Sequence, residues 1–394
     1  MIYSMHKSGV FKKTENLFLI GYFLFIINQI FAQSQLNNIN FIAESLKVFR
    51  WALIFYFIIL ILVKNKYPQT LNGFAWIFFM LIALIEMLFF DGKLLLLMLI
   101  IFVFASYKYN IERIIKMHIK ALVLGDIFIV GLSIIGILNI GGTSKSFDNL
   151  TGFMFKSNNI TYTYGFTASN VVPITFLFVY LFILLIQKGK YNKYYDLLVI
   201  FVDFFLYFNF GSRSGLVLVI IAVILRWVIS IKEKKFIKLS VPICYAILGI
   251  SLFFSVCLPT MNANKLINKV DVLLTARLTI MRNALRLYPM TLWGYGETYA
   301  QNIEDYLVLD NGYISLFIQR GILIGIAFMK IIMKIIKTSK KQMDAYLLLF
   351  ITVWILGNII DATFLHYVTF PIYAMIFNID WYSKEQNKYS NKET

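Results

Sequence analysis

Apolar runs close to bilayer length recur along the whole chain, separated by short polar segments, and each reads as a membrane-spanning helix. They lie at about 17–32, 46–63, 71–90, 94–106, 121–140, 165–187, 195–210, 214–231, 239–258, 311–333, 345–361 and 364–380. The pattern predicts an all-α multi-pass membrane protein of about twelve transmembrane helices. No polar stretch leaves room for a separate soluble domain, so residues 1–394 are expected to form a single polytopic domain. Lys7, Lys12 and Lys13 precede the first run as in a signal peptide, but no small-x-small cleavage site follows it. The first span is therefore expected to be retained.

Composition agrees, with 60% hydrophobic and 14% charged residues. The formal charge of +17 is carried by short loops rather than an extended patch, which argues against a nucleic-acid partner. Lys108–Lys120, Lys188–Lys193, Lys232–Lys238 and Lys330–Lys341 all fall on one side, together with both termini. The positive-inside rule makes that side, and hence both termini, cytoplasmic.

Two longer segments remain outside, 141–165 and 259–310. Within the larger, 271–288 reads as an amphipathic helix, because Leu274, Leu278, Met281, Leu285 and Tyr288 share one face and Pro289 stops it. Arg277 falls on one border of that stripe, and Arg282 and Arg286 on the other. The helix is expected along the membrane surface, its arginines either snorkelling toward headgroups or gripping phosphate. A further arginine stands among small residues at the outer end of a span, in Gly211-Ser212-Arg213-Ser214-Gly215.

Other residues carry alternatives. Arg320, about three turns into the tenth span, either lines a substrate groove or pairs with an intramembrane acid, for which Glu86, Asp126 and Asp203 are candidates. Gly321-x-x-x-Gly325 reads as a close helix contact. Cys244 and Cys257 sit about 20 Å apart on one helix, too far for a disulfide. His6, His118 and His366 are isolated and make no metal site; His118 falls in a basic inside loop and His366 near the outside, able to bind substrate or act as a base. Tyr162, Tyr164, Tyr295, Tyr299, Tyr306 and Tyr313 are outer-face tyrosines suited to sugar stacking or to an interface belt.

The Ser-Arg-Ser-Gly motif, the loop sequence TARLTIMRNALRLYPMTLWGYG and the later LDNGYISLFIQRGILIG, taken in that order, resemble the bacterial O-antigen polymerase and ligase superfamily. The similarity covers about residues 150–335 and is closest to Wzy-type capsular or exopolysaccharide polymerases. It implies a GT-C-like helical glycosyltransferase of the plasma (inner) membrane, needing neither metal nor cofactor. Its substrates would be undecaprenyl-pyrophosphate-linked oligosaccharides, and a flippase and a chain-length regulator its partners. By position, the resemblance assigns Arg213 and Arg277 to the pyrophosphate and matches Asn170 and Asn311, candidates for the groove; Arg282, on the same amphipathic helix as Arg277, joins the pyrophosphate set, and Arg320 is a further groove candidate. Asp310 is the first candidate for the base and Glu297 the second. Ligases of the superfamily usually carry His-Asn where this chain has Asp310-Asn311, which favours polymerase over ligase.

The chemistry suits these residue types. Guanidinium groups bind phosphate oxygens bidentately without losing charge, and fixed cations stabilise a departing pyrophosphate. A carboxylate would accept the proton of the attacking sugar hydroxyl. The rival readings are a flippase for lipid-linked sugars and a ligase that transfers finished polymer.

Overall fold

The computed structural model describes residues 2–64, 95–147, 154–187, 192, 194–261, 267–269, 271, 277–295 and 311–375, without the side chains of 2–12, 95, 142–147 and 154–161. Helices build the body: α1 (Ile2–Ala32), α2 (Asn40–Lys64), α3 (Leu95–Ser106), α4 (Ile111–Ile134), α5 (Val171–Gln187), α6 (Tyr194–Phe210), α7 (Arg213–Leu252), α8 (Leu258–Thr260), α9 (Arg277–Leu287), α10 (Gly312–Gln342) and α11 (Ala345–Ile360). Most follow the apolar runs closely. The run expected at 71–90 lies outside the described residues, and of the run at 364–380 the description reaches 375. The segment 141–165, expected as a loop, contains an antiparallel ladder of β1 (Gly141–Phe147) and β2 (Met154–Tyr162).

Among the described residues, five helical stretches are long and apolar enough to cross a membrane: Lys13–Ala32, Asn40–Lys64, Ile111–Ile134, Arg213–Thr260 and Gly312–Gln342. Large apolar side chains such as Phe41, Phe201, Phe208 and Ile231 remain exposed around the bundle. A surface of that kind is compatible with lipid and unfavourable in water.

The stretch Arg213–Thr260 spans 48 residues. A straight helix of that length would measure about 72 Å, more than twice a hydrocarbon core. It is not straight. Lys232 adopts φ −145° and ψ 57°, outside the helical region, and the two limbs run in opposite directions beside α11. In the first limb, Leu218 lies against Gly357, near the end of α11, while Arg226 shares a cleft with Asp344 and Tyr346 at its start. In the second limb the order reverses: Cys244 bonds Thr352 at 3.0 Å, and Ser255 accepts from Asn311, which also donates to Ile359 O. The runs at 214–231 and 239–258 are thus separate traverses joined by a tight reversal at the lysines.

Contacts of this kind sort the loops into two ends. Arg113 and Glu15, Lys64 and Ala105, and Arg226 and Asp196 mark one end, where Lys108–Lys120, Lys232–Lys238 and Lys330–Lys341 also gather. Gln33, Gly165, Asn170, Arg213, Arg277, Asn311 and Asp361 mark the other. We call these the lysine end and the arginine end.

The buried ion pair near the lysine end had no counterpart in the sequence reading. Arg226 Nη1 donates to Asp196 Oδ2 at 2.7 Å, the indole of Trp227 donates to the same oxygen at 2.7 Å, and Tyr180 donates to Oδ1 at 2.9 Å. Three donors offset the cost of burying the carboxylate. Trp227→Phe removes one of them. It is expected to lower stability by about 1–2 kcal/mol, read as a reduced Tm in detergent.

Neither Asp126 nor Asp203 forms an ion pair with Arg320; Glu86, the third candidate acid, lies outside the described residues. His118 is fully buried in α4 rather than placed in a basic loop, and bonds Tyr22 Oη at 2.8 Å and Val368 O at 3.0 Å. Its neighbours Ile114, Ile115 and Leu122 draw that face of α4 into the core. The cysteines are free, Cys244 buried and Cys257 exposed.

Gly321 reverses another expectation. It does not serve a helix–helix contact: it breaks α10, with φ 80° and ψ 169°, a region open essentially to glycine alone. The break leaves backbone groups without helical partners, and residues 291–295 supply them. Tyr295 N donates to Ile318 O at 3.0 Å, Ile322 N to Thr291 O at 2.9 Å and Leu323 N to Leu292 O at 3.3 Å. Gly294, also at φ 80°, sits against the backbone of Gln319 and Gly321, where a Cβ on either glycine would overlap main-chain atoms.

Candidate functional site at the arginine end

The Gly-Ser-Arg-Ser-Gly sequence resolves into separate structural duties. Gly211 turns the chain at φ 70° after α6, and Ser212 caps α7 by accepting from Gly215 N at 3.4 Å. Gly215 lets α7 lie against Pro173 of α5, since a Cβ there would stand 2.9 Å from the proline ring. The small residues are explained by cap, turn and contact. Arg213 is left over: it is exposed in the first turn of α7 and makes no hydrogen bond or ion pair with a described residue.

Arg277–Leu287 form the described part of α9 within the helix expected at 271–288; residues 272–276 lie outside the described residues. Asp271 Oδ1 accepts from Leu278 N at 2.8 Å and Thr279 N at 3.2 Å, satisfying donors of the first turn. Leu278, Met281 and Ala284 bury against Ile267, Ile314 and Ile318. The apolar stripe of α9 therefore rests on α10 rather than on lipid. That packing fixes the arginines: Arg277 Nη1 donates to Ile360 O, Arg282 Nε donates to Pro259 O at 3.0 Å, and Arg286 remains exposed.

Asn170 and Asn311 each cap a helix at this end. Asn170 O accepts from Ile174 N at 3.0 Å in α5, while its amide donates to Asp361 Oδ2. Asn311 Oδ1 accepts from Tyr313 N and Ile314 N at 3.0 and 3.1 Å, and its amide donates to Ile359 O and to Ser255. Residues 359–361 are thus held from three sides by Asn170, Arg277 and Asn311. The N-termini of α5, α7 and α10 lie at this end, and their partial positive charge adds to that of the arginines.

Asp361 is the residue that sequence reading missed. It is half-buried beside this cluster, and its only sequence signal is an acid immediately after an apolar run. Asp310 and Glu297 lie outside the described residues, as do Tyr299 and Tyr306. Arg320 is buried next to the break in α10, which separates it in character from the exposed Arg213. Tyr313 is buried with its hydroxyl on Ile355 O, so it serves the core rather than a sugar; Tyr162 is half exposed. Gln33 Nε2 donates to His366 Nε2 at 2.7 Å.

A polar cleft also exists at the lysine end, lined by Arg226, Ser230, Glu233, Asp344 and Tyr346. Its arginine is already engaged by Asp196, and two acids line it, so it suits an anionic substrate poorly. Among the described residues no group of His, Cys, Asp and Glu is arranged to hold a metal ion. Comparison with protein-family models, curated proteins and solved structures gives no match.

Proposed function

We propose that this protein is a membrane glycosyltransferase of the polymerase type, joining oligosaccharide repeat units carried on undecaprenyl pyrophosphate. The supporting observation is the gathering of Arg213, Arg277, Asn170 and Asn311 at one end of the bundle, opposite the lysines. If the lysine end is cytoplasmic, the arginine end faces outward, where lipid-linked repeats await joining.

In this reading Arg213 and Arg277, with Arg282 nearby, hold the donor pyrophosphate. Two features suit them to it: Arg213 is exposed and makes no hydrogen bond or ion pair with a described residue, and Arg277 is positioned by the Ile360 carbonyl. A hydroxyl of the acceptor repeat attacks the sugar C1, the bond from C1 to pyrophosphate breaks, and the lipid pyrophosphate leaves with its electron pair. Fixed cations and helix N-termini stabilise that charge. A carboxylate takes the hydroxyl proton. Asp310 and Glu297 keep this role from the sequence, and Asp361 joins them because Asn170 holds it at the same end.

The broken α10 favours a second reading, a flippase, since transporters use discontinuous helices at substrate sites. Here, however, the backbone groups freed at Gly321 are taken up by residues 291–295 rather than left to line a cavity. The discriminating experiment compares lipid-linked glycans in a strain lacking the protein with the same strain complemented. Single repeats exposed on the outer face and extended to a ladder by the wild type are the expected result. Repeats trapped inside would mean a flippase, and long chains never released from the carrier would mean a ligase.

A further inference from the structure

Tyr162 and Tyr164 have no part in the chemistry proposed above, although the structure sets them beside Arg213. β2 ends at Tyr162, and the chain then turns through Tyr164 and Gly165, whose φ angles are 45° and 82°. Two successive left-handed residues are at ease as asparagine and glycine, whereas a tyrosine is strained in the first position. The turn is pinned all the same. Thr163 N and Tyr164 N donate to Ile140 O at 2.9 and 3.0 Å, Gly165 N donates to Asn139 O at 3.0 Å, and Gly165 O accepts from Gln35 N at 2.8 Å.

The strained residue gains contact with α6. Its hydroxyl donates to Asn209 Oδ1 at 3.1 Å, and its ring lies 4.9 Å from that of Phe210, the last residue of the helix. On the other side the ring of Tyr162 stands 6.1 Å from that of Tyr164 and is 50% exposed, whereas Phe210 is buried. The three rings thus form a row from the open rim inward. Phe210 is followed by Gly211, Ser212 and Arg213; three residue steps reach about 11 Å at most, and the turn at Gly211 shortens that. The row therefore begins at the foot of the exposed arginine.

An interfacial anchor and a sugar platform both need an open ring, but they differ in what fixes it. An anchor is served by any amphipathic ring at headgroup depth, with no strained turn to place it. A platform needs a ring held still, because the attraction between an aromatic face and the C–H face of a pyranose is made of many weak contacts that depend on close approach. In a lipid-linked glycan one sugar is always beside the phosphates, the ring whose C1 carries them.

We propose that Tyr162, backed by Tyr164 and Phe210, stacks the pyranose ring joined to the donor pyrophosphate. Arg213 holds the phosphates on one side of the bond from C1 to oxygen and Tyr162 holds the ring on the other, so that C1 is presented in a fixed place to the acceptor hydroxyl. The inference rests on the polymerase reading and adds to it the residue that recognises the sugar.

The test expresses wild type, Tyr162→Phe, Tyr162→Leu and Tyr162→Ala at matched membrane abundance in the strain lacking the protein and compares their glycan ladders. Membranes of each are also supplied with single lipid-linked repeats extracted from that strain, and KM and kcat are measured. Tyr162 is exposed at the end of its strand, so these changes leave the core closed. Tyr162→Phe, which keeps the ring, is expected to give the wild-type ladder. Tyr162→Leu and Tyr162→Ala should shorten it and raise KM about three- to tenfold with a smaller change in kcat, the worth of one aromatic contact. A wild-type ladder and KM in Tyr162→Leu would overturn the proposal and make Tyr162 an interfacial anchor, leaving the polymerase reading intact. No ladder from the wild type itself would instead remove the polymerase reading, and this subsite with it.

Discussion

Arg277→Ala is expected to abolish polymer while leaving the protein in the membrane. The guanidinium is held by the Ile360 carbonyl at the start of α9, and α9 is packed through Leu278, Met281 and Ala284, none of which the substitution touches. Loss of the Ile360 bond should lower stability by about 1–3 kcal/mol, whereas loss of a fixed cation at a departing pyrophosphate costs about 100-fold or more in rate. Arg213→Ala is expected to behave alike for a different reason. Arg213 makes no hydrogen bond or ion pair with a described residue, so an effect of its removal is expected to report on substrate. Arg213→Lys should recover little, because an ammonium lacks the planar fork that grips two phosphate oxygens. The check is the glycan ladder at matched membrane abundance. Normal chain lengths in both alanine variants would remove the arginines from the mechanism.

Gly321→Ala is expected to do the opposite, depleting the protein itself. Alanine at φ 80° and ψ 169° is strained by about 1–3 kcal/mol, and its Cβ would overlap the backbone of 292–294. Relieving that overlap means separating the loop from α10, which exposes Ile318 O and the N–H groups of Ile322 and Leu323. The combined destabilisation is about 2–6 kcal/mol. Gly294→Ala meets the same backbone from the other side and should show the same loss. Low abundance and a depressed Tm for both variants are the expected outcome, measured by quantitative immunoblot and by thermal unfolding in detergent. A Gly321→Ala protein of wild-type Tm would mean that the break in α10 is not required.

The sequence made the helices legible because burial in lipid demands long apolar runs, a constraint strong enough to outweigh most local detail. It also separated the two limbs of α7: the lysines at 232–238 mark the reversal even though the helix is nearly continuous through them. The arginine end was partly legible. Arg213 stood out as a charge at the end of an apolar run and Arg277 on the border of an amphipathic stripe, whereas Asn170 and Asn311 entered through the resemblance alone. What sequence could not reveal depended on distant partners. The break at Gly321 is decided by a loop about thirty residues earlier, so Gly-x-x-x-Gly was read as packing. Arg226 lay unremarked inside an apolar run because its partner, Asp196, belongs to another helix. The β1–β2 ladder is built from polar sequence with no alternation to announce it.

The grip on residues 359–361 has a consequence for the order of events during synthesis. Asn170, Arg277 and Asn311 reach Asp361, Ile360 and Ile359 across 191, 83 and 48 residues of chain. None of the three can close its bond until residues 359–361 have left the ribosome. The N-terminal helices can insert and pair well before then, as N-terminal parts of large chains do. The arginine end, by contrast, is completed in a single late step, when α11 and its following turn arrive. A nascent chain that stops short of residue 359 would thus have inserted helices but an unassembled arginine end.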